Sequence, residues 1–291
     1  MDGSSALHDQ ELLAVLGLVS SHGRLSSHSQ RKLAQVNGLL SWLHRAVRVT
    51  QQAHPSVVEF GCGKAYLAFF LAQAVRDARE SPVSITGVDR NLDLIARCRR
   101  ARDLLGWQEM AFTVATCESF DSPHAPALVC ALHACDVATD HVIAAAIAMG
   151  AEHVVVAPCC HSTSQRRLRE AGHRHEWGRI ARCFPLLGSR FSEFVTEAMR
   201  CLALRTHGYE VQVREFVSGT ATPKNTVIIA SLTGKPSKRS QDELRKIEDL
   251  VGLECEVRRS LERRAAARHA GEPGALSCEH QHQEEEHVCR I

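Results

Sequence analysis

The chain's densest chemistry lies in Glu59-Phe60-Gly61-Cys62-Gly63-Lys64, where an acid and two glycines end the apolar run Val57-Val58. Glycines let a ligand approach the backbone closely, and a helix starting beyond them offers free N–H groups. Asp89 closes the next apolar run, 28 residues after Gly61, where a carboxylate can accept both hydroxyls of a ribose. Arg90 beside it, and Cys117 and Glu118 after a third run, extend the same wall. A dinucleotide site wants Gly or Ala at the last position of its fingerprint, and that position here is Tyr66. An acid before the turn also sits badly against a pyrophosphate. It suits an ammonium. The expected ligand is therefore S-adenosylmethionine, with Glu59 opposite the amino group and Asp89 on the sugar.

A second group of residues could manage the acceptor. Leu132-His133-Ala134-Cys135-Asp136, Cys159-Cys160-His161 and Thr222-Pro223-Lys224-Asn225 follow the fourth, fifth and sixth expected strands. In an open parallel sheet, ligands bind outside the carboxyl ends of the strands, so all three groups should share a rim with Gly61 and Asp89. Methyl transfer from a sulfonium needs alignment and, for a protonated acceptor, a base. His133, Asp136 and His161 are the candidates, and His133 also borders the cofactor site. Lys224 could hold an anionic acceptor or lower its pKa. Asp136 is equally suited to capping the helix that begins there. Cys159, Cys160 and His161 invite a metal, with His133 and Cys135 as partners. Adjacent ligands rarely reach one tetrahedral ion and no C-x-x-C pair exists, so no metal is expected.

Three motifs in register, Glu59 to Lys64, Leu132 to Asp136 with Ala138-Thr139-Asp140, and Cys159 to His161, resemble the class I methyltransferases of the methyltransferase-like branch. This branch includes eukaryotic tRNA 2′-O-methyltransferases, with their EFGAGKG, HLCGxATD and CCH segments. Two positions depart from that pattern. Ala65 stands where the family commonly has a third glycine, and Asp136 where the tRNA enzymes have glycine. The resemblance implies S-adenosylmethionine as cofactor and an RNA acceptor. Arg166, Arg167, Arg169, Arg174, Arg179 and Arg182, joined by His173 and His175 and opposed by Glu170 and Glu176, make a basic stretch that could track phosphates. The alternatives are a protein or small-molecule acceptor, or a non-catalytic module that keeps the cofactor site.

The elements that must position these residues read as alternating short apolar runs and helical patterns from Val57 onward, the mark of βαβ units. Seven strands are expected, mostly parallel with an antiparallel last strand, in a Rossmann-like α/β fold. Residues 1–50 read as an N-terminal helical cap, with helical stretches ELLAVLGLVSS and HSQRKLAQVNGLLSWLHRAV, 51–233 as the cofactor-binding domain and 234–270 as a charged helical appendage. Residues 271–291 read as a disordered tail. The segment from Pro158 to about Arg190 reads as irregular.

Composition bounds the rest. The chain has 291 residues, 44% hydrophobic and 23% charged, with a net charge of +2, so any polyanion surface must be local. Twelve cysteines without an export signal point to reduced thiols in the cytosol. No apolar run is long enough to span a membrane.

Overall fold

A computed structural model describes residues 9–20, 22–78, 83–132, 134–159, 161–172, 175–218 and 224–269. His133, Cys160, His173, Arg174, Thr222, Pro223 and the tail beyond His269 therefore lie outside the described residues. Seven strands, β1 (Ser56–Phe60), β2 (Ser84–Asp89), β3 (Met110–Val114), β4 (Leu128–Ala131), β5 (His153–Val156), β6 (Tyr209–Glu215) and β7 (Thr226–Leu232), form one sheet. Their order is β3-β2-β1-β4-β5-β7-β6. The first five are parallel, and β7 runs antiparallel to both of its neighbours. This is a Rossmann-like arrangement, as the alternation of runs implied. The strand order reverses between β1 and β4, and a crevice opens at such a switch point.

Strand alternation sorts the core into two layers. Val57 of β1 faces α1 (Gln10–Val15), α2 (Ser27–Val49), α3 (Tyr66–Asp77) and α4 (Leu92–Leu105). Val58 and Phe60 face the opposite layer, built on α5 (Val137–Met149) and α8 (Pro185–Thr206). Local chemistry sets the helix ends. Ser26 and Asn91 accept N–H groups at the starts of α2 and α4, while Gly106 and Gly150 end α4 and α5 at φ 69° and 68°. That left-handed geometry is nearly free of cost only for glycine.

Three segments differ from their sequence reading. Pro158 to Arg190 is regular: α6 (Ser162–Ala171) and α7 (Glu176–Cys183) precede an α8 that already begins at Pro185. The charged segment after Gly234 is two helices, α9 (Lys238–Val251) and α10 (Glu256–His269), separated at Gly252. Leu244, Val251, Cys255 and Val257 are buried in the second core layer, so these helices are part of the packed body. Sparse apolar residues hid this, because the few present all point inward. At the N-terminus the run ELLAVLGLVSS is helical only as far as Val15, before Gly17 at φ 66°.

Candidate functional site

At the carboxyl ends of the parallel strands lies a cleft of about 550 Å³. Phe60 and Gly61 end β1 there, Asp89 and Arg90 end β2, and Thr116, Cys117 and Glu118 follow β3. Ala134 and Cys135 beyond β4, with Ala138 and His141 of α5, close the other side. The floor is apolar and two acids stand on one wall, the layout of a site for a small organic ligand with a few orienting polar groups. A Cβ built on Gly61 would come no nearer than 4.0 Å to Ala134, and one on Gly63 would meet nothing. Open space over the glycine turn, a carboxylate at the β2 end and an apolar floor fit the ribonucleoside half of S-adenosylmethionine.

Glu59 is not where the sequence reading put it. Alternation turns its side chain away from Phe60, onto the α3 side, and it does not line the cleft. Its carboxylate instead accepts the Ala68 N–H of α3 at 3.0 Å and is only 3% exposed. The physical reason is Ala65. This residue precedes α3 in the left-handed region at φ 53° and supplies no side-chain cap, so a carboxylate from β1 takes an N–H that a cap would satisfy. Burial pushes the Glu59 carboxyl up to about 8.

Asp89 ties the glycine turn to the next loop, accepting Gly63 N–H and Asn91 N–H, both at 2.9 Å. It lines the cleft as expected, together with Gly61, Arg90, Cys117 and Glu118. Cys62 and Lys64 do not: the Cys62 side chain is buried against Gly87, and the Lys64 ammonium lies 6.0 Å from the Tyr66 ring. Gly63 contributes its backbone through Asp89 rather than a wall. Glu118 pairs with His141 of α5 across the mouth of the cleft.

The acceptor side is organised by a residue that sequence reading passed over. Arg200 on α8 is fully buried and makes two hydrogen bonds to Asp140, at 3.0 and 2.6 Å, and one to the Asp136 carbonyl at 2.9 Å. Asp140 more than offsets the cost of burial and holds the guanidinium charged. Its signal was an arginine on the apolar face of SEFVTEAMRCLALRT, sixty residues from the acid of the Ala138-Thr139-Asp140 motif. Arg264 was missed likewise. From α10 it donates to the carbonyls of Cys117, Glu118 and Phe120, so the C-terminal helix fixes the loop forming one cleft wall.

The proposed bases are constrained by the same network. Asp136 makes no cap for its own helix. Its carboxylate instead accepts the Thr163 N–H at 2.9 Å and the Ser162 hydroxyl at 2.9 Å, tying the start of α6 to the β4 turn. Burial pulls its pKa upward, but these hydrogen bonds and the Arg200 charge outweigh it and leave the carboxyl below its ordinary value. The backbone of Asp136 sits at φ 60°, ψ −129°, a region suited to glycine. The two departures from the family pattern, Ala65 and Asp136, are thus the two non-glycine residues with positive φ among the described residues.

His161 is 3% exposed, and its Nε2 lies 3.4 Å from Arg200. An arginine can only donate, so Nε2 is the acceptor and the proton is assigned to Nδ1. Burial and the Arg200 charge depress its pKa to about 4. Lys224 pairs with Glu193 of α8. Asp136, His161 and Lys224 therefore share one polar cluster with Arg200 and α8, beside the Cys135 edge of the cleft. Among the described residues, no group of three or more His, Cys, Asp or Glu side chains is placed to hold a metal ion; His133 and Cys160, two of the conceivable ligands, lie outside the described residues. None of the described helices is long and apolar enough to cross a membrane.

Residues 31–167 match a family model described as a methyltransferase domain. A Bos taurus protein described as glutathione S-transferase C-terminal domain-containing protein is 26% identical over 230 residues, 71% of this chain but 34% of its own length. This chain thus spans about a third of that relative. Among solved structures, magnesium protoporphyrin IX methyltransferase from Synechocystis is 15% identical at a TM-score of 0.44, covering 72% of this chain and 89% of that one. A ribosomal protein L11 methylase from Lactobacillus delbrueckii is 11% identical at 0.42, covering 70% and 79%. An rRNA methylase from Streptococcus thermophilus is 10% identical at 0.41, covering 66% and 94%. The residues that line the cleft, from Phe60 to His141, all lie within the matched segment, so the cleft is built inside a stretch similar to a methyltransferase domain.

Proposed function

We propose that this chain is an S-adenosylmethionine-dependent methyltransferase that methylates RNA, with the cofactor in the cleft between Gly61 and His141 and the acceptor entering over the Asp136 edge. The observation that carries the RNA reading is the face of α6 and α7. The first of these helices starts where Asp136 holds Thr163, and the two display Arg166, Arg169, Arg179 and Arg182 to solvent. Arg167 is not part of this surface charge, because it pairs with Glu256 at 2.6 Å. Phe184, where α7 ends, and Phe194 of α8 are also exposed, and exposed aromatic rings suit stacking with unstacked bases.

When bound, S-adenosylmethionine supplies an electrophilic methyl group. The chain's own residues then have defined tasks. Asp89 and Arg90 border the place for the ribose, and Phe60 and Val88 exclude water beneath it. Arg200 and Asp140 hold the Asp136 turn rigid, which fixes the acceptor edge relative to the cleft. Asp136 and His161 serve this positioning task, since their acceptor atoms are already engaged. His133 remains the candidate base.

Incubation with radiolabelled cofactor and separately fractionated RNA, protein and metabolites tests the reading. Label in RNA supports it. Label confined to protein or metabolites overturns the acceptor assignment, and absence of label together with absence of calorimetric cofactor binding overturns the cleft assignment.

A further inference from the structure

Cys135 and Cys159 occupy the turns that follow β4 and β5, neighbouring parallel strands whose last paired residues are Ala131 and Val156. The two sulfurs stand 2.8 Å apart. Cys135 is exposed and lines the cleft, and Cys159 is half-buried. Cys62 and Cys98 are also close partners, but they are 7% and 2% exposed, out of reach of a solute.

We propose that Cys135 and Cys159 are a redox-modification site, a dithiol that reacts with hydroperoxides and thereby alters ligand binding in the adjoining cleft. One sulfur, as thiolate, attacks the peroxide. An S–O bond forms, the O–O bond breaks, and the departing hydroxide takes a proton to become water. The second thiol then attacks the resulting sulfenic acid, the S–S bond forms, and the S–O bond breaks with loss of a second water. Two thiols lose two electrons and one hydrogen peroxide becomes two waters, and a dithiol reductant reverses the step.

Closure draws the sulfurs from 2.8 Å to about 2.05 Å and fastens the β4 turn to the β5 turn. The β4 turn carries Asp136 at positive φ and contributes Ala134 and Cys135 to the cleft wall, so the bond changes the shape of that wall. The oxidation itself rests on the thiols alone. Its effect on ligand binding rests on the cleft being the cofactor site.

The test uses the full chain, reduced and then exposed to stoichiometric hydrogen peroxide, alkylated and digested. A linked Cys135–Cys159 peptide pair that separates on dithiothreitol treatment is expected. Cys159→Ser should leave a sulfenic acid on Cys135 that dimedone traps, and Cys135→Ser should do the same for Cys159. Peroxide that links other cysteines, or leaves Cys135 fully alkylatable, overturns the site. Calorimetry with S-adenosylhomocysteine reads the consequence: oxidation should weaken binding at least three-fold in the wild type, with dithiothreitol restoring it. An unchanged affinity in a protein shown to carry the bond overturns the link to the cleft. Failure of the reduced protein to bind S-adenosylhomocysteine overturns the cofactor reading and that link together, and leaves the oxidation to be judged by the peptide map.

Discussion

Glu59→Gln separates the two roles an acid at the end of β1 could have. In the structure Glu59 is a buried cap for α3, with its carboxyl raised from 4.5 to about 8 by burial. Because the folded-state value lies above the unfolded one, the contribution to stability is fully present below about pH 4.5 and is lost as pH rises through 8. At about 1.4 kcal/mol per pKa unit, the total is on the order of 5 kcal/mol, of which roughly half falls between pH 5.5 and 7.5. The amide of glutamine can still accept the Ala68 N–H but does not titrate. Urea unfolding of both proteins across that interval should show wild-type stability falling relative to Glu59→Gln by roughly 2–3 kcal/mol. A difference that stays flat within about 0.5 kcal/mol refutes the buried, protonated carboxyl. Cofactor affinity of the variant should stay within about three-fold, since no charge is removed from the cleft. A hundred-fold loss would restore the ammonium-facing role.

Arg200→Met should cost about 3–5 kcal/mol by stranding the buried Asp140 carboxylate, and Arg200→Met with Asp140→Leu should recover most of it; thermal unfolding of the single and double variants decides, and a single-variant loss below about 1 kcal/mol would contradict the buried pair. Ala65→Gly should gain up to about 1 kcal/mol by relieving the left-handed backbone, read as a raised melting temperature. Asp89→Ala should weaken cofactor binding by about 1–3 kcal/mol, measured by calorimetry, and unchanged affinity would refute the ribose assignment. Replacing Arg166, Arg169, Arg179 and Arg182 by alanine should weaken oligonucleotide binding across sequences and flatten its salt dependence by about one unit of slope for each phosphate no longer neutralised; a fluorescence titration at several salt concentrations checks this.

The sheet was legible because apolar runs and crossover helices alternate with little interruption from Val57 to Val156. Gly61, Asp89 and Glu118 were legible for the same reason: strand ends in a parallel sheet converge, whatever the details of packing. Glu59 was misplaced because its side of β1 depends on register, and a period of two puts Phe60 and Glu59 on opposite faces. Arg200 and Arg264 act through hydrogen bonds spanning 60 and 147 residues, which no local pattern encodes. The helices α6, α7, α9 and α10 were read as irregular or peripheral because arginines and glutamates dominate their exposed faces. Their few buried anchors, Leu168, Leu244, Val251 and Val257, carry the packing.

The position of S-adenosylhomocysteine in a crystal of the reduced protein tests the central claim most directly. The account predicts density along the β1–β2–β3 strand ends, with the ribose hydroxyls on Asp89 and the sulfur toward the Cys135 edge. Density elsewhere on the molecule, or a bound ligand that touches neither Asp89 nor Gly61, would contradict it.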